Sequence, residues 1–147
     1  MATITSQTPI GSHRLYDIAL LTVRIGISLM MLTHGLPKLE LLLSDGGSKF
    51  PSVGGMSPAL TLGLTVFSEF VCSLLLIFGL FTRFALAALA FTMFVAALVV
   101  HAADDFSVKE MSLHYLLVYS MLLLTGGGRF SIDHWWKLER NKKSINS

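Results

Sequence analysis

Leu20 to Leu39, LLTVRIGISLMMLTHGLPKL, constrains this chain more than any other stretch. About 20 apolar residues at ~1.5 Å each make a helix that crosses a ~30 Å hydrocarbon core. Yet Arg24 falls in the middle of the run, and His34 and Lys38 stand towards its far end. A charged side chain at membrane depth is expensive, so it must face protein or take part in function. The composition agrees with a membrane protein: 53% of the residues are hydrophobic and 14% charged, against ~25% charged in soluble domains.

Turn chemistry divides the chain. Residues 1–12 read as a flexible polar tail. The first span is expected over 13–36, because Pro37 lacks the amide hydrogen a helix needs. Residues 44–57, SDGGSKFPSVGGMS, form the one long loop, either a plain connector or a lid folded over a site. Ser57-Pro58 caps and opens a second span over 58–81. Thr82 is expected to cap a third over 83–102, in which Ala87, Ala90 and Ala97 align with His101 as a close-packing stripe. Ser107-x-x-Glu110 reads as a capping box for a fourth over 108–125, which Gly126-Gly127-Gly128 ends. The fold expected is all-α, a four-transmembrane-helix bundle over 13–128. A tail over 129–147 follows, with Trp135 and Trp136 as an interfacial anchor.

Seven basic residues fall at the termini and the second-to-third turn: Arg14, Arg83, Arg129, Lys137, Arg140, Lys142 and Lys143. The opposite loops hold three, Lys38, Lys49 and Lys109. The positive-inside rule then places both termini in the cytoplasm. The first apolar run is too long for a signal-peptide core and is expected to stay in the membrane. No basic stripe interleaved with aromatics suggests nucleic acid. The single cysteine, Cys72, rules out a disulfide or a dithiol redox pair within one chain.

Helical spacing sorts the polar residues. Arg24, Ser28, Met31, Gly35 and Lys38 share one stripe of the first helix, with His34 at its edge. Thr61, Thr65, Ser68, Glu69, Cys72 and Ser73 share a face of the second, which must look into the bundle. Arg24 and Glu69 each lie about halfway along their predicted spans. The expectation is a buried Arg24–Glu69 pair, serving either as a register pin or as a proton-handling site. His34, His101 and His114 are expected to converge near the outer face. There they could ligate a metal, hold a haem iron or hydrogen-bond a quinone carbonyl. No His-x-x-His or Glu-x-x-His spacing supports a metal.

These residues resemble the DoxX family of small four-helix membrane proteins. The resemblance rests on Arg24-Ile-Gly-Ile with Thr33-His34-Gly35-Leu36-Pro37-Lys38, on Glu69, on Phe78-Gly79-Leu80-Phe81-Thr82-Arg83, and on Thr125-Gly126-Gly127-Gly128-Arg129-Phe130-Ser131-Ile132-Asp133. It extends from Val23 to Asp133. It implies a bacterial inner-membrane bundle, and some relatives are membrane subunits of quinone-linked sulfur oxidoreductases.

The function expected on this basis is a membrane subunit of a quinone-linked redox system. Quinone is the cofactor implied, with haem as the alternative, and a redox partner protein supplies electrons. Arg24 and Glu69 are the candidate catalytic residues; His34, Lys38, His101 and His114 are the candidate cofactor residues. The alternatives are a non-enzymatic scaffold and a small transporter, the latter acting as a homo-oligomer.

Overall fold

The computed structural model describes residues 10–44 and 46–145. Residues 1–9 of the expected tail lie outside them, and 10–12 already belong to the first helix. The described residues form helices joined by loops and turns, without a strand. Five helices follow in order: α1 (Ile10–Leu43), α2 (Pro58–Phe78), α3 (Thr82–Val100), α4 (Phe106–Thr125) and α5 (Ile132–Ile145).

Three of these, α1, α2 and α3, are long and apolar enough to cross a membrane. α4, at 20 residues, has the length. Lys109, Glu110, Ser112 and His114 make its first half more polar. The outward surface supports a lipid setting: Phe91 is 68% exposed and Leu124 84%, in a chain too apolar to leave such groups in water.

α1 does not end at Leu36. It runs 34 residues, through Pro37 to Leu43. A proline inside a helix removes one backbone hydrogen bond and crowds the preceding turn, yet membrane helices tolerate it where neighbours support the backbone. The extension moves the centre of the membrane-crossing part away from Arg24. From Arg24 to Leu43 the helix rises ~30 Å at ~1.5 Å per residue, which is the bilayer core by itself.

α2 opens as expected, with Ser57 accepting from the Leu60 amide at 3.3 Å and Pro58 in the first turn. It ends at Phe78, three residues before the expected boundary, because Gly79 takes a left-handed conformation (φ 69°). Its middle, Phe67–Cys72, is a π turn. This wider turn helps Ser68, Glu69, Cys72 and Ser73 all to be buried, so the expected inward face of α2 is present. π turns within α-helices often mark functional positions.

Two caps differ from expectation. Thr82 does not cap α3: the Asp133 carboxylate does so from α5, accepting from the Phe81 amide at 2.9 Å and the Thr82 amide at 2.7 Å. The Ser107/Glu110 capping box does not form; Asp105 precedes α4 and no side chain caps it. In α3, Ala97 is buried but Ala87 faces outward, and Ala85, Leu86, Leu89 and Met93 make the inner face.

α1 packs along α2, the π turn of α2 packs on α3, and α3 packs along α4. α1 and α4 close the ring along a much looser seam. The start of α1 and the start of α5 lie at one end of the bundle, where Asp17 accepts from the Arg129 amide at 3.4 Å. We call this the terminal end and the other the loop end. The loop folds back onto α1 and α2: Gly47 is buried against Ala59 and Leu62.

Candidate functional site

Two polar clusters lie inside the bundle. The first surrounds Arg24, which is 2% exposed. One guanidinium nitrogen donates to the Gly127 carbonyl and the other to the Phe130 carbonyl, the latter at 2.9 Å. Both acceptors lie in the loop between α4 and α5. Gly79 stands beside the guanidinium: a Cβ there would lie 3.0 Å from Arg24 Nη1 and 2.7 Å from the Ser131 Cβ. The same loop returns a bond to the α2–α3 turn, the Asp133 amide donating to the Gly79 carbonyl at 3.1 Å. Phe81, beside it, holds a left-handed φ of 44°. That conformation is strained for a residue with a Cβ, and the Asp133 carboxylate on its amide stabilises it. Arg24 is therefore the centre of a latch at the terminal end. It is not paired with Glu69.

The reason is register. Gly35, not Arg24, lies against Glu69: a Cβ on Gly35 would meet the Glu69 carbonyl and the Phe70 nitrogen at 3.0 Å. Eleven residues separate Arg24 from Gly35, and ten separate Gly79 from Glu69. At ~1.5 Å per residue these are ~16 and ~15 Å, as antiparallel neighbours require. Ending α1 at Leu36 made Arg24 look central.

The second cluster is at mid-depth. Glu69, 3% exposed, receives the Lys38 ammonium on both carboxylate oxygens at 2.5 and 2.6 Å. Lys38 therefore turns inward to Glu69 and does not line a cleft with the histidines as a candidate cofactor residue. Tyr115 and Tyr119 of α4 stack with ring centroids 6.0 Å apart, and both lie within electrostatic reach of Glu69. The Tyr119 hydroxyl is fully buried with no hydrogen-bond partner among the described residues. His34 meets Tyr115 edge-on at 5.8 Å. Nearby, Thr92 donates to Ser68 at 2.8 Å, joining α3 to the π turn.

The seam between α1 and α4 opens beside this cluster as a cleft of about 460 Å³. Its walls are Ile27, Met30 and His34 from α1, and Ser107, Glu110, Met111, His114, Tyr115 and Val118 from α4. Met30 and Met111 are more than half exposed, so the cleft faces sideways into the bilayer. His34 neighbours Gly35 and lies at mid-depth, not at the outer face. The structure brings His34 and His114 to one cleft and leaves His101 out. His101 ends α3 and contacts Asp104 through Nδ1 at 2.7 Å. Among the described residues of the 44–57 loop, none lines the cleft. Among the described residues, no three His, Cys, Asp or Glu side chains come together as a metal site.

Sequence reasoning missed Tyr115, Tyr119 and Asp133. The tyrosines carried a signal: spaced by four, they fall on the face of α4 that also buries Ser112 and Leu122. Asp133 closes one of the strings that carry the resemblance, but nothing local marks it as a cap, since the amides it caps are 52 and 51 residues away.

The geometry defines an integral membrane helical bundle, latched at one end and carrying a partly buried ion pair at mid-depth. The DoxX family model matches residues 19–102, more than half the chain, and the protein belongs to that family. Comparison with curated proteins and with solved structures gave no significant match.

Proposed function

We propose that this protein is a membrane subunit of a redox system and that the α1–α4 cleft takes the head group of a quinone. One observation carries the reading: a laterally open cleft of drug-ligand size holds His34 and His114, with the buried Glu69, paired to a half-buried Lys38, behind Tyr115. The donor set fits a quinone. Neutral imidazoles can each present an N–H to a carbonyl oxygen, and Met30, Met111 and Val118 suit an isoprenoid-bearing ring. A bound quinone supplies two-electron chemistry coupled to two protons.

The chain's own residues would do the rest. His34 and His114 hold and orient the head group. Tyr115 forms the inner wall and excludes water. Glu69 and Lys38 hold an exchangeable proton behind it, next to the Tyr119 hydroxyl. Electrons come from a partner protein. On this reading the terminal end faces the cytoplasm of a bacterial inner membrane and α4 is a fourth span; the seven basic residues at that end against three at the other support it.

The test is quinone content. Protein purified with its native lipid should retain quinone, and H34A/H114A should lose it while remaining folded. Wild-type protein that is free of quinone in a lipid extract and unresponsive to quinone titration overturns the reading. A Soret band in its visible spectrum replaces quinone with haem.

A second reading, a non-enzymatic scaffold, is favoured by the latch. Arg24 and Asp133, both within the strings that carry the family resemblance, are engaged in holding helices together. On that reading E69Q lowers stability and removes no activity.

A further inference from the structure

At the terminal end, α5 and the first turn of α3 enclose a second cleft of about 490 Å³. Its lining divides by chemistry. Phe81, Phe84 and Trp136 form an apolar wall, and Arg83, Lys137, Arg140 and Lys143 form a cationic one.

The apolar wall is continuous with the lipid-facing surface. Phe81 is 62% exposed and Phe84 58%. Trp136 meets Phe81 edge-on at 6.4 Å, and Phe84 meets Phe67 of α2 at 6.4 Å. An aromatic strip therefore runs from α5 down the flank of α2 and α3. Tryptophan beside lysine is the chemistry of the headgroup layer.

The cationic wall lacks counter-charge. Four cations face two acids, Asp133 and Glu139. Both Asp133 oxygens are taken by the Phe81 and Thr82 amides. None of the four cations has an ion-pair or hydrogen-bond partner among the described residues. Asp133 also occupies the start of α3, so an anion here would be held by side chains and not by free helix amides. Like charges gathered on one cleft repel each other unless an anion joins them.

We propose that this cleft binds an anionic phospholipid. The headgroup phosphate sits among Arg83, Lys137, Arg140 and Lys143, and an acyl chain follows Phe81, Phe84 and Phe67. Guanidinium forks and ammonium groups together match a phosphodiester, and basic pockets beside membrane spans recognise such lipids. The aromatic strip selects a lipid over a soluble phosphate. The proposal is independent of the quinone reading, because it uses neither the α1–α4 cleft nor Glu69.

Native mass spectrometry of the delipidated full-length protein tests it, titrating dioleoylphosphatidylglycerol against dioleoylphosphatidylcholine. The wild type should retain phosphatidylglycerol at least about tenfold better, and R140Q and K143Q should each lower that preference about fivefold. K142Q, on the same helix but outside the cleft, should leave it unchanged. Arg140 and Lys143 are exposed, so the far-UV circular dichroism of both variants should match the wild type. Three results each overturn the proposal: equal retention of the two lipids, a K142Q loss as large as that of K143Q, or displacement of phosphatidylglycerol by millimolar inorganic phosphate.

Discussion

Arg24 and Glu69 are equally buried, at 2% and 3% exposure, yet the molecule satisfies them in different ways. Arg24 finds backbone carbonyls, Gly127 and Phe130, in a loop at the bundle end. Glu69 finds a side chain, Lys38, at mid-depth. Depth explains the difference. At a bundle end, loops present carbonyls that no helix has used, and a guanidinium with five donors can collect them. At mid-depth the helical backbone has satisfied itself, so a carboxylate must be answered by another side chain. The first solution ties chain segments together. The second leaves a titratable pair inside the bundle, next to a cleft and an unpartnered tyrosine hydroxyl.

Removing one member of the charge pair should have the largest effect. K38M leaves Glu69 buried without a counter-charge and should cost roughly 3–5 kcal/mol in unfolding by SDS in mixed micelles. K38M/E69L should recover most of that loss and still retain quinone, but slow its reduction. A double variant as unstable as the single would show that the pair is not an electrostatic unit, and one that reduces quinone at the wild-type rate would confine the pair to structure.

R24K comes next. An ammonium cannot span both carbonyls, so one charged hydrogen bond is lost, at roughly 1.5–3 kcal/mol. Amide exchange should quicken between Gly127 and Asp133 and stay slow around Glu69. Equal quickening at both places would mean that the two clusters form one cooperative unit.

D133A removes the cap on α3 and should cost about 0.5–2 kcal/mol. Faster exchange at Phe81 and Thr82 would locate the loss.

Y119F should have the smallest effect on stability. It deletes a buried hydroxyl that makes no bond among the described residues, so unfolding should be unchanged or harder by up to about 1 kcal/mol. A loss larger than that would reveal a partner for the hydroxyl, and with it a polar link from Glu69 towards the cleft.

Much of this was legible in the chain. The apolar runs gave the helices, Ser57-Pro58 gave the start of α2, and spacings of three and four gave the buried stripes on α1 and α2. Those patterns are local: a helix repeats every 3.6 residues, and lipid sets which residues must hide. Which polar groups meet was not legible. It depends on axial register between helices, and register followed from α1 running past Pro37, from Gly35 seating against Glu69, and from Gly79 admitting Ser131. Periodicity fixes the direction in which a side chain points around its helix axis but says nothing of its height along a neighbour. The sequence alone therefore determined a membrane bundle with charges inside it. Only the tertiary structure decided that Arg24 holds the chain ends together, that Lys38 answers Glu69, and that His34 and His114 share a cleft without His101.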